Sequence, residues 1–215
     1  GMGMLPADDD RVRDAVAAVL DADPAAGKLR ITWSSGVGPL GSSRGDGPGT
    51  LIVATEPGST WPADEAVHLC RWTRNEHGAL VGLKTTSYAE NVIALEAAHA
   101  HGCAEALFAN TSGELGEGTG TNGFMVGGGE LVTPPLSSGC LAGVTRELLL
   151  EEMDVTERPV HPDEFAKASE AFLTSSTRDV NAIARVDDVV FPELPGPVTV
   201  AAQELFADLC ARSLD

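Results

Sequence analysis

The chain has 215 residues, of which 43% are hydrophobic, enough for a packed core in one large domain or two modest ones. Its formal net charge of -18, from 14 basic and 32 acidic residues, argues against nucleic acid or an anionic membrane surface as a partner. Four scattered cysteines, no recognisable signal peptide and no apolar run of about 18 residues predict a reduced, cytoplasmic protein without a membrane span.

The first third of the chain predicts one helix packed on a small antiparallel sheet. The acidic residues Asp8 to Asp10 can cap the helix. Alternation of apolar and polar residues predicts three strands, at residues 29–33, 50–55 and 66–72. A break in composition at residues 74–78 predicts a domain boundary. We therefore expect a small α+β domain at residues 1–77 and a larger domain at residues 78–215.

The larger domain is predicted to mix helices and strands, so that the whole chain is of the α+β class. The predicted helices lie at residues 86–101, 145–153, 162–169 and 198–212. The predicted strands lie at residues 106–110, 124–126, 130–133, 171–174 and 181–186. Three consecutive glycines at residues 127–129 predict a hairpin between the second and the third of these strands.

Lys84, one of only three lysines, lies in an unusual setting for a surface lysine. Its neighbours in Gly82-Leu83-Lys84-Thr85-Thr86-Ser87-Tyr88 are small, hydroxylated or apolar. If a helix has already begun at Lys84, the spacing of four residues puts it on one face with Tyr88, the only tyrosine. An amine that such neighbours keep from water would be a nucleophile. The alternative is a lysine that extends into solvent from the start of a helix.

The segment Gly118-Thr119-Gly120-Thr121-Asn122-Gly123 has the letters of the dinucleotide-binding fingerprint GxGxxG. That fingerprint requires a helix directly after it, and the residues that follow here predict a strand. We therefore expect these glycines to make a sharp bend or to bring the backbone close to a ligand. Glu117, which opens the loop, is either a solvated turn carboxylate or an acid that faces a cationic heterocycle nitrogen.

Two polar segments could bind an anion the size of a phosphate. In Leu141-Ala142-Gly143-Val144-Thr145-Arg146 a loop enters a predicted helix, where the N–H groups of Val144 and Thr145 would be free to donate. The alternative is an ordinary cap with Thr145 as the N-cap residue. The hydroxyl cluster at residues 174–177 would suit the same anion or form a polar turn. No metal is expected, because His99 and His101, two apart on a helix, cannot share one.

The chain contains, in this order, a lysine, an acid, an anion site at a helix start and a Ser/Thr cluster. Pyridoxal 5'-phosphate (PLP) needs this inventory: a lysine for its aldehyde, an acid for its ring nitrogen, and N–H and OH donors for its phosphate. The order, with the motifs at residues 82–88, 114–122 and 133–146, resembles the class IV (fold-type IV) PLP enzymes. These include branched-chain aminotransferases, D-amino-acid aminotransferases and aminodeoxychorismate lyases. The resemblance extends over about residues 84–186.

The resemblance implies a role for each candidate residue. Lys84 would bind the cofactor aldehyde covalently and move the proton, as the catalytic residue. Tyr88 would hydrogen-bond the phenolic oxygen of the cofactor, Glu117 would keep the ring nitrogen protonated, and Leu141 would pack against the ring. The phosphate would be bound by Val144, Thr145, Ser175 and Ser176.

The resemblance also implies an architecture, in which a small α+β domain precedes a larger pseudobarrel domain, usually in a homodimer. Family members carry a longer N-terminal segment, so the small domain of this chain is expected to be truncated at its N-terminus. In the family, that segment includes an arginine that binds the phosphate. Loss of this arginine would weaken cofactor binding.

Three functions stay open at this point, and a small-molecule amino compound is the substrate of the two enzymatic ones. As a lyase the protein would convert aminodeoxychorismate to 4-aminobenzoate and pyruvate, which the loop at residues 36–45 and the sequence Thr85-Thr86-Ser87 favour. As a transaminase it would act on branched-chain or D-amino acids. The third possibility is a non-catalytic remnant that serves as a binding or interaction protein. Arg44 could contact a substrate carboxylate or be a free surface arginine.

Overall fold

The computed structural model describes residues 7–212, which fall into two compact units that divide between Thr60 and Trp61. The first unit contains helix α1 (Asp9–Ala22) and the antiparallel strands β1 (Lys28–Ser34) and β2 (Thr50–Glu56). Asp8 caps α1, because its Oδ1 accepts a hydrogen bond from the backbone N–H of Asp10 at 2.9 Å. The predicted helix and first two strands are thus confirmed.

The second unit contains a mixed sheet and, among the described residues, four α-helices and the short 3-10 helix Leu136–Ser138. Its helices are α2 (Ala89–Ala100), α3 (Val144–Glu152), α4 (Pro162–Phe165) and α5 (Pro197–Arg212). Its strands are β3 (Asp64–Arg74), β4 (Glu105–Asn110), β5 (Leu115–Gly118), β6 (Asn122–Gly127), β7 (Glu130–Thr133), β8 (Val155–Glu157), β9 (Glu170–Ser175), β10 (Asp179–Val186) and β11 (Val189–Val190). The predicted helix at residues 162–169 is shorter than expected, since α4 is a single turn.

The strands of the second unit are hydrogen-bonded in the order β5-β4-β3-β10-β9-β6-β7-β8, with β11 on β10. The sheet curls, so that β5 and β6 also contact each other although they are not neighbours in this order. The β6–β7 hairpin confirms the prediction from the three glycines, since Gly127 lies opposite Glu130. A mixed sheet covered by helices confirms the predicted α+β class.

Strand β3 is the strand predicted at residues 66–72, but it does not join the small sheet. It pairs in parallel with β4 and β10 of the second unit. The prediction of three strands in the first sheet is therefore wrong, because alternation identifies a strand and not its partners. Because β3 belongs to the sheet of the second unit, the two compact units divide after Thr60, whereas the sequence predicted a domain boundary between residues 77 and 78.

The sheet of the second unit is buried on both faces, which explains its long apolar runs. Successive residues of β4 point to opposite sides: Leu107 joins one core cluster, while Phe108 packs with the small residues Ala94 and Ala98 of α2. Phe124 of β6 faces the cluster that α3 and α5 complete. None of the helices within residues 7–212 is long and apolar enough to cross a membrane.

Candidate active site

Lys84 and Tyr88 contact each other in the loop between β3 and α2. The Nζ of Lys84 donates a hydrogen bond to the Oη of Tyr88 over 2.6 Å, and it lies 5.3 Å from the centroid of the tyrosine ring. Helix α2 begins only at Ala89, so the condition that a helix has already begun at Lys84 is not met. The loop brings the two side chains together by a series of tight turns, one of which joins the N–H of Leu83 to the carbonyl oxygen of Leu80.

Both members of this pair are exposed. Of the two interpretations of Lys84, the structure does not support the one in which its neighbours keep the amine from water, because small side chains such as Thr86 and Ser87 cannot cover a long amine. The short contact with the phenol is what distinguishes Lys84 from an ordinary surface lysine. It fixes the amine beside an oxygen that can accept or donate a proton.

Glu117 is held in strand β5 with 17% of its side chain exposed, so it is not a solvated turn carboxylate. Its Oε1 accepts a hydrogen bond from Arg74 Nη1 at 2.6 Å, and its Oε2 accepts one from the backbone N–H of Leu141 at 2.8 Å. Burial raises the pKa of Glu117, although the Leu141 N–H and the charges of Arg74 and Lys84 act in the opposite direction. Lys84 and the N–H of Leu141 thus both stabilise the charged form of Glu117.

Arg74 is a residue of this site that the sequence analysis missed. It ends β3, and its Cζ lies 4.0 Å from the centroid of the Phe108 ring on the neighbouring strand β4. Its Nη2 donates to Asn91 Oδ1 at 2.6 Å, and Asn91 in turn donates to the carbonyl oxygen of Thr119 at 2.5 Å. No local motif marks Arg74, because its contact with Glu117 depends on the side-by-side pairing of β3, β4 and β5.

The loop that enters α3 is shaped by Asn122, which the sequence analysis did not single out as a site residue. Asn122 Nδ2 donates to the carbonyl oxygen of Leu141 at 2.9 Å. An ideal Cβ on Gly143 would lie 2.2 Å from Asn122 Oδ1, so a side chain there would force Asn122 or the loop to move. Gly143 is the N-cap residue of α3, so the alternative in which Thr145 caps the helix is wrong. A glycine N-cap offers no side-chain acceptor to the N–H groups of Val144 and Thr145, which suits an anion.

The turn after β9 lies at the same end of the sheet as the entrance to α3. Thr174 pairs with Asn122 across β9 and β6, and Ser175 and Ser176 follow directly. The Oγ of Ser175 accepts a hydrogen bond from the backbone N–H of Arg178 at 3.1 Å. Ser176 is exposed in the turn. The strand pairing thus connects the predicted hydroxyl cluster, through Asn122, to the loop that carries Leu141.

The glycine-rich loop between β5 and β6 is a sharp bend, as predicted. The backbone N–H of Gly118 donates to the carbonyl oxygen of Thr121 over 2.8 Å. An ideal Cβ on Gly118 would lie 2.1 Å from Thr121 Oγ1, which leaves no room for a side chain. A strand follows the loop, so the dinucleotide fingerprint has no structural counterpart here. Arg44 is exposed in the loop between β1 and β2 of the first unit.

A mixed α+β fold with a curled sheet of this kind matches the fold-type IV PLP enzymes. The sequence model of the family described as amino-transferase class IV matches residues 2–186, and the chain therefore belongs to the class IV aminotransferase family. This confirms the predicted resemblance and fold class. Membership in this family indicates PLP as the cofactor.

Two kinds of class IV protein are similar to this chain. It is 37% identical over 110 residues to a provisionally named branched-chain-amino-acid aminotransferase of Thermotoga maritima, a match that covers 48% of this chain and 40% of that protein. A provisional 4-amino-4-deoxychorismate lyase of Legionella pneumophila superposes with a TM-score of 0.88 at 25% identity, covering 95% of this chain and 78% of that one. The chain spans about half the length of the curated relatives it matches.

A third similar protein has been solved with the cofactor. The PLP form of a branched-chain aminotransferase from Thermobaculum terrenum superposes with a TM-score of 0.80 at 26% identity, covering 93% of this chain and 70% of that one. The residues of this chain fit the same group. They offer an amine for an aldehyde, a buried carboxylate that a cationic nitrogen would stabilise, and helix N–H groups for a phosphate.

Proposed function

We propose that Lys84 is the catalytic residue of a PLP-dependent lyase that releases pyruvate and 4-aminobenzoate from aminodeoxychorismate. When bound, PLP supplies an aldehyde that takes up the substrate amino group and a ring that withdraws electrons. Lys84 would hold the aldehyde before the substrate arrives, and its Nζ would then carry the proton to and from the substrate carbon. Tyr88 orients that amine through the 2.6 Å contact.

The other candidate residues would bind and orient the cofactor. Glu117 would present a carboxylate to the ring nitrogen, and Leu141 would pack against the ring while its N–H fixes that carboxylate. Four residues would donate to the phosphate through N–H or hydroxyl groups: Val144, Thr145, Ser175 and Ser176. Arg44 is proposed to bind a substrate carboxylate through a charge-assisted contact.

The observation that carries this proposal is the combination of Lys84, Tyr88 and Glu117. A mostly buried carboxylate whose pKa is raised by burial gains stability when a cation binds next to it. The charge of Lys84 already acts on Glu117, so the amine and the acid lie within electrostatic reach of each other. One small planar ligand could therefore be held between them.

Lyase activity is supported by the superposition of the Legionella pneumophila protein over 95% of this chain. A lyase also needs only one substrate, so the same proton transfers at Lys84 complete its reaction. Transamination of branched-chain amino acids is the second candidate, because the 37% identical relative carries that name. The two reactions differ in whether a keto acid is needed to close the cycle.

The deciding experiment supplies both sets of substrates to the purified chain loaded with PLP. Aminodeoxychorismate alone is expected to give equal amounts of 4-aminobenzoate and pyruvate. Branched-chain or D-amino acids with 2-oxoglutarate are expected to give at most slow formation of glutamate. Faster glutamate formation than 4-aminobenzoate formation would overturn the lyase proposal in favour of a transaminase. Absence of both products would favour the third possibility, a non-catalytic binding protein.

We further infer a homodimer in the cytoplasm. Three large apolar side chains near the start of α2 are exposed: Leu80 at 48%, Val92 at 56% and Ile93 at 55%. Large apolar side chains that are exposed within one short segment are compatible with a protein–protein interface. Three buried cysteines with free thiols agree with a reducing compartment. Light scattering of the wild-type chain and of Ile93→Asp tests the dimer, since the charge should yield monomers.

A further inference from the structure

Arg74 is held from several sides at the end of β3, with 18% of its side chain exposed. Its Nη1 contacts Glu117 Oε1 at 2.6 Å, its Nη2 contacts Asn91 Oδ1 at 2.6 Å, and its Nε lies 3.5 Å from Glu90 Oε2. The Phe108 ring covers one face of the guanidinium. The position of this cation is thus determined by β4, β5 and α2 together.

The two oxygens of Glu117 are fixed by two different donors. Arg74 binds Oε1, and the backbone N–H of Leu141 binds Oε2 at 2.8 Å. These contacts prevent the carboxylate from rotating. Each carboxylate oxygen can accept a second hydrogen bond, so a further N–H donor can still approach.

The charge of Arg74 also bears on where a shared proton would lie. A ring nitrogen and a carboxylate that share one proton exist either as an N–H cation with a carboxylate anion or as a neutral pair. A guanidinium beside the carboxylate stabilises the anion and so favours the proton on the nitrogen. Without that cation the same proton would move from the nitrogen to the carboxylate, and the total charge of the pair would not change.

We propose that Arg74 is a positioning residue that orients the Glu117 carboxylate and keeps the shared proton on the ring nitrogen of the cofactor. The inference rests on the proposed function, because it takes the ring nitrogen to bind at Glu117. A purely structural role would be to link β3, β5 and the first turn of α2 through Asn91. That role predicts a loss of stability on substitution, but no change in the position of the proton.

The test uses PLP labelled with nitrogen-15 in the ring, bound to the full chain, and the ring-nitrogen chemical shift measured by NMR at one pH. Arg74→Met removes the charge, while Arg74→Lys retains a cation. Arg158→Met is the matched control, because Arg158 pairs with Glu164 at 2.5 Å and plays no part in the candidate site. We expect the shift of a protonated nitrogen in the wild type, in Arg74→Lys and in the control.

In Arg74→Met we expect the shift to move towards that of an unprotonated nitrogen and the Kd for PLP to rise about tenfold or more. Carbon-13 NMR of the cofactor-free chain gives a second readout, since losing Arg74 should raise the pKa of Glu117 further. Arg74→Gln is measured in parallel as a second variant without the charge. Its amide can still donate a hydrogen bond to Asn91, so it serves as the test variant if Arg74→Met does not fold. An unchanged ring-nitrogen shift in a folded variant without the charge would overturn the inference.

The wild-type protein separates this inference from the proposed function. Borohydride reduction followed by peptide mapping shows whether PLP is attached to Lys84. If it is not, the proposed function fails, whatever the variants of Arg74 do. If PLP is attached to Lys84 and the shift is the same in Arg74→Met and in the wild type, only the role of Arg74 fails.

Discussion

The amine and the acid of the candidate site are held in different ways. Lys84 lies exposed in a loop, with the phenol of Tyr88 as its hydrogen-bond partner. Glu117 lies mostly buried in a strand, with a fixed donor on each carboxylate oxygen. A group that makes and breaks a bond must be able to move, whereas a group that stabilises a charge works best when it is fixed in advance. Substitutions on the two sides should therefore have different consequences.

The largest effect is expected from Lys84→Ala. Removing the proposed catalytic amine should lower turnover about 10²–10⁴-fold, the range for a lost acid–base group. The melting temperature should stay nearly constant, because the side chain is exposed. Steady-state kinetics and thermal unfolding measure the two effects. Lys167→Ala serves as the control and should retain full turnover, because Lys167 is an exposed lysine in the turn after α4.

Glu117→Gln should have the next largest effect, on kcat more than on binding. The amide keeps the shape but loses the charge that holds a proton on the ring nitrogen, so kcat should fall about 10²-fold. The Kd for PLP should change less, because the phosphate contacts are intact. Kinetics and a PLP titration on the same sample give both numbers. Equal kcat in the variant and the wild type would contradict the fixed-charge role of Glu117.

Gly143→Ala tests the anchoring of the loop that enters α3. Its new Cβ would lie 2.2 Å from Asn122 Oδ1, so either the loop or Asn122 must move. Overpacking of this kind costs about 1–3 kcal/mol, and we expect PLP to bind roughly tenfold more weakly. Gly120→Ala is the matched control, since an ideal Cβ there has nothing within 4 Å. Equal affinities in the two variants would argue against a phosphate site at this loop.

The smallest effect is expected at Glu76, which lies in the same loop between β3 and α2 as Lys84 and anchors this loop to the turn after β4. Its carboxylate accepts hydrogen bonds from Thr111 N and Oγ1, each at 2.9 Å, and from Ser112 Oγ at 2.9 Å. Its own backbone N–H and that of Thr111 are the main causes that lower the pKa of Glu76 to about 2. The contact should therefore stabilise the fold above pH about 4.3, the value for an unfolded chain, and be lost as the pH falls towards 2.

Urea unfolding between pH 6 and pH 2 measures this dependence. The wild type should lose stability over the acidic part of that range, and Glu76→Gln should lose less, because an amide does not titrate. Thr111→Val keeps the carboxylate but removes one hydroxyl donor, so its pH dependence should lie between the two. Parallel curves for all three proteins would show that Glu76 does not anchor the loop.

The sequence predicted the elements of the fold better than their partners. The β6–β7 hairpin follows from its three glycines, because a tight turn is local. A shared face for Lys84 and Tyr88 was expected only if a helix had begun at Lys84, and the two side chains meet although helix α2 begins at Ala89. Arg74 could not be assigned, since its contact with Glu117 spans 43 residues and requires three strands to pair in the right order.

The direct test of the central claim is to find where PLP becomes attached. The purified chain is incubated with PLP, reduced with borohydride, digested and mapped by mass spectrometry. The account predicts a pyridoxyl group on Lys84, a visible absorption band before reduction, and neither in Lys84→Ala. Attachment to Lys28 or Lys167 instead, or no attachment at any lysine, would contradict it.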